Sequence, residues 1–186
     1  MSSLGTTLLA VCVLPLTIVA CSPAPQPPVA PQTPVMNGVR AIAQRQSKNI
    51  IEAAEEMPAD KYAYKPTPAQ MTYGDVVAHL IKEGNNYLCA ATTGQKEPDV
   101  TKFSGSDPKD KLVAGLKESF KYCEGVLAQI QDAQLGDSID FFGGRKVTKG
   151  MAALITVADW ADHYSQMAIY LRLNGHLPPT AKKGMD

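Results

Sequence analysis

The chain has 186 residues, 45% of them hydrophobic, and its 18 basic and 18 acidic side chains cancel to a formal charge of +0. That apolar content is ordinary for a globular domain and excludes a disordered chain. No stretch after the first 35 residues interleaves Lys or Arg with aromatics, which argues against nucleic acid as a partner.

Residues 8–20 form an apolar run broken by Pro15, short for a bilayer span but of the length of a signal-peptide core. The run ends in Ile18-Val19-Ala20-Cys21, which resembles a lipobox, where the cysteine is lipidated and becomes the new N-terminus. Ile18 stands where Leu is usual, and residues 1–7 hold no Lys or Arg. A Pro-rich stretch follows, with Pro23, Pro25, Pro27, Pro28, Pro31 and Pro34, and forms an extended spacer. The expected organisation is a signal peptide at 1–20, lipidated Cys21 opening a linker at 21–35, a domain at 36–181 and a tail at 182–186. The domain is then exported and held to the cell-envelope membrane by its lipid. A plain secretory signal cleaved near Ala20 is the alternative, and it exports the domain too. Cys89 and Cys123 remain in the domain, and an even count in an oxidising compartment points to a disulfide rather than two buried thiols. They lack CxxC spacing, so a thioredoxin-type role is not expected.

Apolar spacing predicts four helices. The first covers 35–56 with Val39, Ile42, Ile50, Ile51 and Ala54 as its stripe, and ends at Met57-Pro58. The second opens at Thr72, where Asp75 three residues on completes a capping box, and runs through Val76, Val77, Leu80, Ile81, Tyr87 and Leu88 to Gly94. The third starts from a cap at Asp107 with Pro108 in the first turn, and carries Leu112, Leu116, Phe120, Val126, Leu127 and Ile130. A short hairpin turning at Gly143-Gly144 precedes the fourth, which covers 149–174 and stops at Gly175. The fold class is therefore all-α, a four-helix bundle.

The domain holds three histidines. His79 lies within the second helix and His163 within the fourth. Asp159 stands four residues before His163, on the same face. Metal sites in bundles are built from inward side chains of facing helices, so His79, Asp159 and His163 are the candidate ligands. Two imidazoles and a carboxylate suit Zn, Ni, Fe or Mn and leave positions open for a substrate. Glu83, one turn after His79, is a candidate fourth ligand or general base, and Gln166 a candidate supporting contact. The alternative is structural: a hydrogen-bonded histidine, and an Asp–His pair on a solvated face. The surrounding run of Met151 to Ala158 is apolar, and a charge buried there needs a partner. His176 falls in the loop after the last helix and reads as surface packing; Trp160, Tyr164 and Tyr170 read as core or rim aromatics.

Three stretches, Tyr73 to Leu80, Asp159 to Gln166, and Tyr170 to Gly175 with Pro178-Pro179, resemble in order and spacing the DinB-like, or YfiT-like, family of metal-binding four-helix bundles. The resemblance spans residues 36–181. It implies a divalent-metal site in which three histidines are usual; here Asp159 replaces the first histidine of the HxxxH pair, and Ser165 the glycine before Gln166. It also implies kinship with thiol-dependent transferases and isomerases. Two readings follow. One is a metal-dependent hydrolase or transferase of unknown small-molecule substrate. The other is a non-catalytic envelope lipoprotein that uses the bundle for binding or scaffolding, with a homodimer compatible with either.

Overall fold

The computed structural model describes residues 33–94, 98–99 and 102–182; Cys21, the signal segment and most of the linker lie outside them. Helix α1 spans Pro34–Glu56. Its own Thr33 gives no side-chain cap. The Asp132 carboxylate caps it instead, accepting from the Val35 and Met36 amides at 2.9 Å each. Arg40 returns the favour, donating to the Leu127, Ala128 and Ile130 carbonyls at the end of another helix. Ile42 does not join the buried stripe as expected. It is 39% exposed, because the inward face at that turn is made by Val39, Ala43 and Gln46.

The second helix of the bundle is a composite. Helix α2 (Tyr73–His79) opens on the expected capping box: Thr72 Oγ1 accepts from the Asp75 amide, and the Asp75 carboxylate accepts from the Thr72 amide. The backbone then widens into a π-helical stretch, Leu80–Tyr87, before α3 (Leu88–Thr93) resumes the normal pitch and ends at Gly94, whose φ is +70°. The uninterrupted second helix expected from the sequence is corrected here. Asn86 Nδ2 donates to the Ile81 carbonyl five residues back, and Asn85 Nδ2 to Ser119 Oγ. These side-chain donors stabilise a pitch that a plain α-helix rejects.

Helix α4 covers Lys109–Ala128. Asp107 is not its cap: its carboxylate accepts from the Ser104 amide and pairs with Lys111, while Pro108 occupies the cap position. Gly115 lies under Phe103, so closely that a methyl there would meet the ring at 2.4 Å. Strands β1 (Ser138–Phe141) and β2 (Arg145–Thr148) form the antiparallel hairpin, Phe141 facing Arg145, with Gly143 and Gly144 both at positive φ. Phe142 stacks on Tyr87 at 4.1 Å, fixing the hairpin to the end of the π stretch. Helix α5 (Lys149–Leu173) is capped by Thr148. A short α6 (Pro179–Lys182) follows, its Thr180 bonded to the Tyr164 hydroxyl.

The bundle consists of α1, the composite α2–α3, α4 and α5, with α1 packed most extensively on α5. The core holds Met36, Ile50, Met57, Leu80, Ile81, Leu112, Leu116, Phe120 and Trp160. Cys89 of α3 and Cys123 of α4 are joined by a disulfide with Cα atoms 5.4 Å apart. Among the described residues no helix is long and apolar enough to cross a membrane.

Candidate metal centre

The two histidines meet between the composite helix and α5. His79 is the last residue before the π stretch. His163 sits in the middle of α5 and is nearly buried. Their rings stack with centroids 4.9 Å apart and planes 30° from parallel.

Each ring has one nitrogen already committed. His163 Nδ1 lies 2.8 Å from the Asp159 carbonyl oxygen. A carbonyl only accepts, so Nδ1 carries the hydrogen and Nε2 keeps its lone pair in the neutral ring. His79 Nδ1 lies 3.2 Å from Glu83 Oε2, and the same reasoning leaves its Nε2 open. An oxygen acceptor on one imidazole nitrogen is how proteins orient a histidine whose other nitrogen ligates.

Asp159 stands beside this pair. Its Oδ2 is 3.4 Å from His163 Nδ1, is buried, and receives no hydrogen bond. Burial of the His163 ring works against its positive charge. The Asp159 carboxylate and carbonyl outweigh that burial, and the imidazole pKa lies above its ordinary value. A buried carboxylate oxygen whose neighbouring His163 Nδ1 stands 3.4 Å off, beside two imidazoles whose Nδ1 atoms are taken by oxygens, fits a divalent cation in chemistry. The spacing is less complete: among the described residues no group of three or more His, Cys, Asp or Glu side chains lies close enough to hold a metal ion. The histidine pair is thus assembled, and Asp159 reaches it from the Nδ1 edge of His163.

The remaining candidates fall as follows. Glu83 is largely exposed and holds His79. Gln166 gives its amide to Asp162 Oδ2 at 3.2 Å. His176 pairs with Glu56, as does Lys182, tying the chain after α5 to the end of α1. Two residues that the sequence reading gave no part in the site lie against it. Trp160, fully buried, donates its indole N–H to the Gly84 carbonyl at 3.0 Å. A methyl on Gly84 would stand 3.0 Å from Asp159 Oδ2. Their adjacency to Asp159 and Glu83 was the available signal.

Residues 42–167 match the family model of the DinB superfamily. The chain belongs to the DinB superfamily. It is 25% identical over 127 residues to the uncharacterised protein YjoA of Bacillus subtilis strain 168, covering 67% of this chain and 81% of that one. The structure of YjoA superposes with a TM-score of 0.61 at 22% identity, over 75% of this chain and 94% of YjoA. A DinB-like protein from Bacillus cereus gives 0.64 at 17% identity, over 77% and 95%. A mycothiol-dependent maleylpyruvate isomerase gives 0.57 at 11% identity, over 71% of this chain and 60% of the isomerase. These superpositions establish the DinB fold, and one protein that carries it is an enzyme.

Proposed function

We propose that this DinB-superfamily chain binds a divalent metal at His79 and His163, with Asp159 as the third ligand, and that it works in the cell envelope, anchored through Cys21. The observation that carries the metal reading is the stacked histidine pair with both Nδ1 atoms held by oxygens. The Asp159 carboxylate, its Oδ2 buried next to His163, is the acidic group beside the pair that would complete a three-ligand set. Zn, Ni, Fe and Mn all accept two imidazoles and a carboxylate. A cation held there supplies Lewis-acid polarisation of a substrate oxygen or sulfur. Glu83 fixes the His79 tautomer and, being exposed, is placed to exchange a proton with solvent. Hydrolysis or group transfer on a small molecule is the reaction class we assign; the maleylpyruvate isomerase fold match supports enzymatic use of such a bundle and carries no substrate across.

Elemental mass spectrometry of the purified chain beside His163→Ala is the test. One metal per chain in the wild type, lost in the variant, is expected; no metal in either after reconstitution refutes the site. Fractionation of expressing cells beside Cys21→Ala tests the anchor, with the variant leaving the membrane fraction.

A second reading has its own observation. Met151, Leu154, Ile169 and Leu173 are each more than half exposed, and at 100° per residue they share one side of α5 with Ala158, Ser165 and the exposed Asp162. A bundle used for binding or scaffolding presents such a face, and that reading predicts loss of partner capture, not metal, on Leu154→Glu.

A further inference from the structure

The two histidines sit on separate elements, and something must set how far apart they stand. Backbone packing alone leaves that to many weak contacts. One directional bond crosses between the two elements at this level: the Trp160 indole N–H to the Gly84 carbonyl, 3.0 Å, both partners inside the bundle. Trp160 follows Asp159 directly and precedes His163 by three residues. Gly84 follows Glu83 directly and lies five residues after His79. The bond therefore joins the His79–Glu83 segment to the Asp159–His163 segment.

The π pitch belongs to the same arrangement. Leu88 donates to Glu83 and Asn85 where the stretch ends, and the indole takes up the intervening carbonyl of Gly84. Gly84 also faces the Asp159 side chain of α5. A methyl there would lie 3.0 Å from Asp159 Oδ2 and 3.2 Å from Leu80 Cδ2, so an alanine would push the Asp159 carboxylate or the Leu80 side chain aside by a few tenths of an ångström. Phe120 packs edge-on against the indole at 4.9 Å and holds the ring in its orientation.

We infer that Gly84 and Trp160 are positioning residues for the histidine pair: their hydrogen bond and close approach set the His79–His163 separation and, through it, the metal affinity. This rests on the metal reading proposed above, and π-helical insertions are frequent at functional sites for the same geometric reason.

The test uses the full-length chain, Trp160→Phe and Gly84→Ala, with Co(II) alone as the probe. Trp160→Phe keeps an aromatic ring and removes the N–H. Gly84→Ala leaves the indole in place and adds only a methyl, and circular dichroism of both variants checks that each keeps the helical fold. Each variant is expected to bind Co(II) about tenfold more weakly, the usual scale for losing a supporting contact, and to show an altered Co(II) absorption band. Wild-type affinity and an unchanged band in both variants would overturn the inference while leaving the metal site intact. Absence of Co(II) binding in the wild type refutes the metal reading instead. Imidazole ¹H–¹⁵N spectra of the metal-free chains then decide the clamp. Shifted His79 and His163 resonances with His176 unmoved support it, and three unmoved histidines reject it.

Discussion

Replacing both Cys89 and Cys123 by alanine removes the covalent link between α3 and α4. The two residues are 34 positions apart in sequence. In the chain-entropy account the cross-link restricts the unfolded chain by about 2.1 + 1.5R ln n cal/mol/K, or on the order of 3.5–4 kcal/mol at room temperature for a loop of this size. For a domain of roughly 150 residues each kcal/mol moves the melting point by about 2–4 °C, so a fall of roughly 10 °C is expected. Both sulfurs are fully buried, and a reductant does not reach them in the native state; the alanine pair is therefore the cleaner perturbation. Differential scanning calorimetry of the two proteins measures the effect, and a non-reducing tryptic digest identifies the linked peptides. A melting point within about 3 °C of wild type would refute the chain-entropy account of this link.

Asp159→His restores the third imidazole usual in the family. The change gives up the attraction between the Asp159 carboxylate and the His163 ring and gains an imidazole donor; tighter Zn(II) retention against a chelator is expected, and equal or weaker retention would place residue 159 outside the coordination set. Lys182, and with it His176, hold the Glu56 carboxyl below its ordinary value of 4.5 against the opposing effect of burial. A depressed carboxyl contributes stability above its unfolded pKa and loses it as pH falls through the folded one, so the wild type loses more stability than Glu56→Gln below about pH 4.5, by urea unfolding across pH 3–6; parallel curves would show that the cluster contributes nothing. Asp132→Ala strips the cap from α1 and costs about 1–2 kcal/mol; hydrogen exchange of the Val35 and Met36 amides should accelerate, and unchanged protection would refute the cap.

Much of the bundle was legible in residues alone. Leu112, Leu116, Phe120, Val126, Leu127 and Ile130 all lie in the core, because a 3.6-residue stripe has one way to face inward. The Thr72–Asp75 box and the glycine turn of the hairpin act within three or four residues, so sequence carries them whole. The π stretch was not readable: over eight residues its period differs too little from 3.6 to alter an apolar pattern, and its stabilising donors include Trp160, 76 positions from Gly84. Asp107 was misread because a cap residue has competing uses, and here Ser104 and Lys111 engage it. In the candidate site, spacing brought out Asp159 and His163 together, but it carries no information on which edge of the imidazole the carboxylate meets.

The exchange of caps between α1 and the end of α4 has a mechanical side. Tension applied ahead of Pro34 enters at Val35 and Met36, and the first bonds to bear it run to Asp132, 97 positions away from Val35. Arg40 passes the load on to the Leu127 and Ala128 carbonyls that end α4 and to Ile130 just beyond it. A pull that would fray an isolated helix turn by turn is thus shared between α1 and the chain that closes α4.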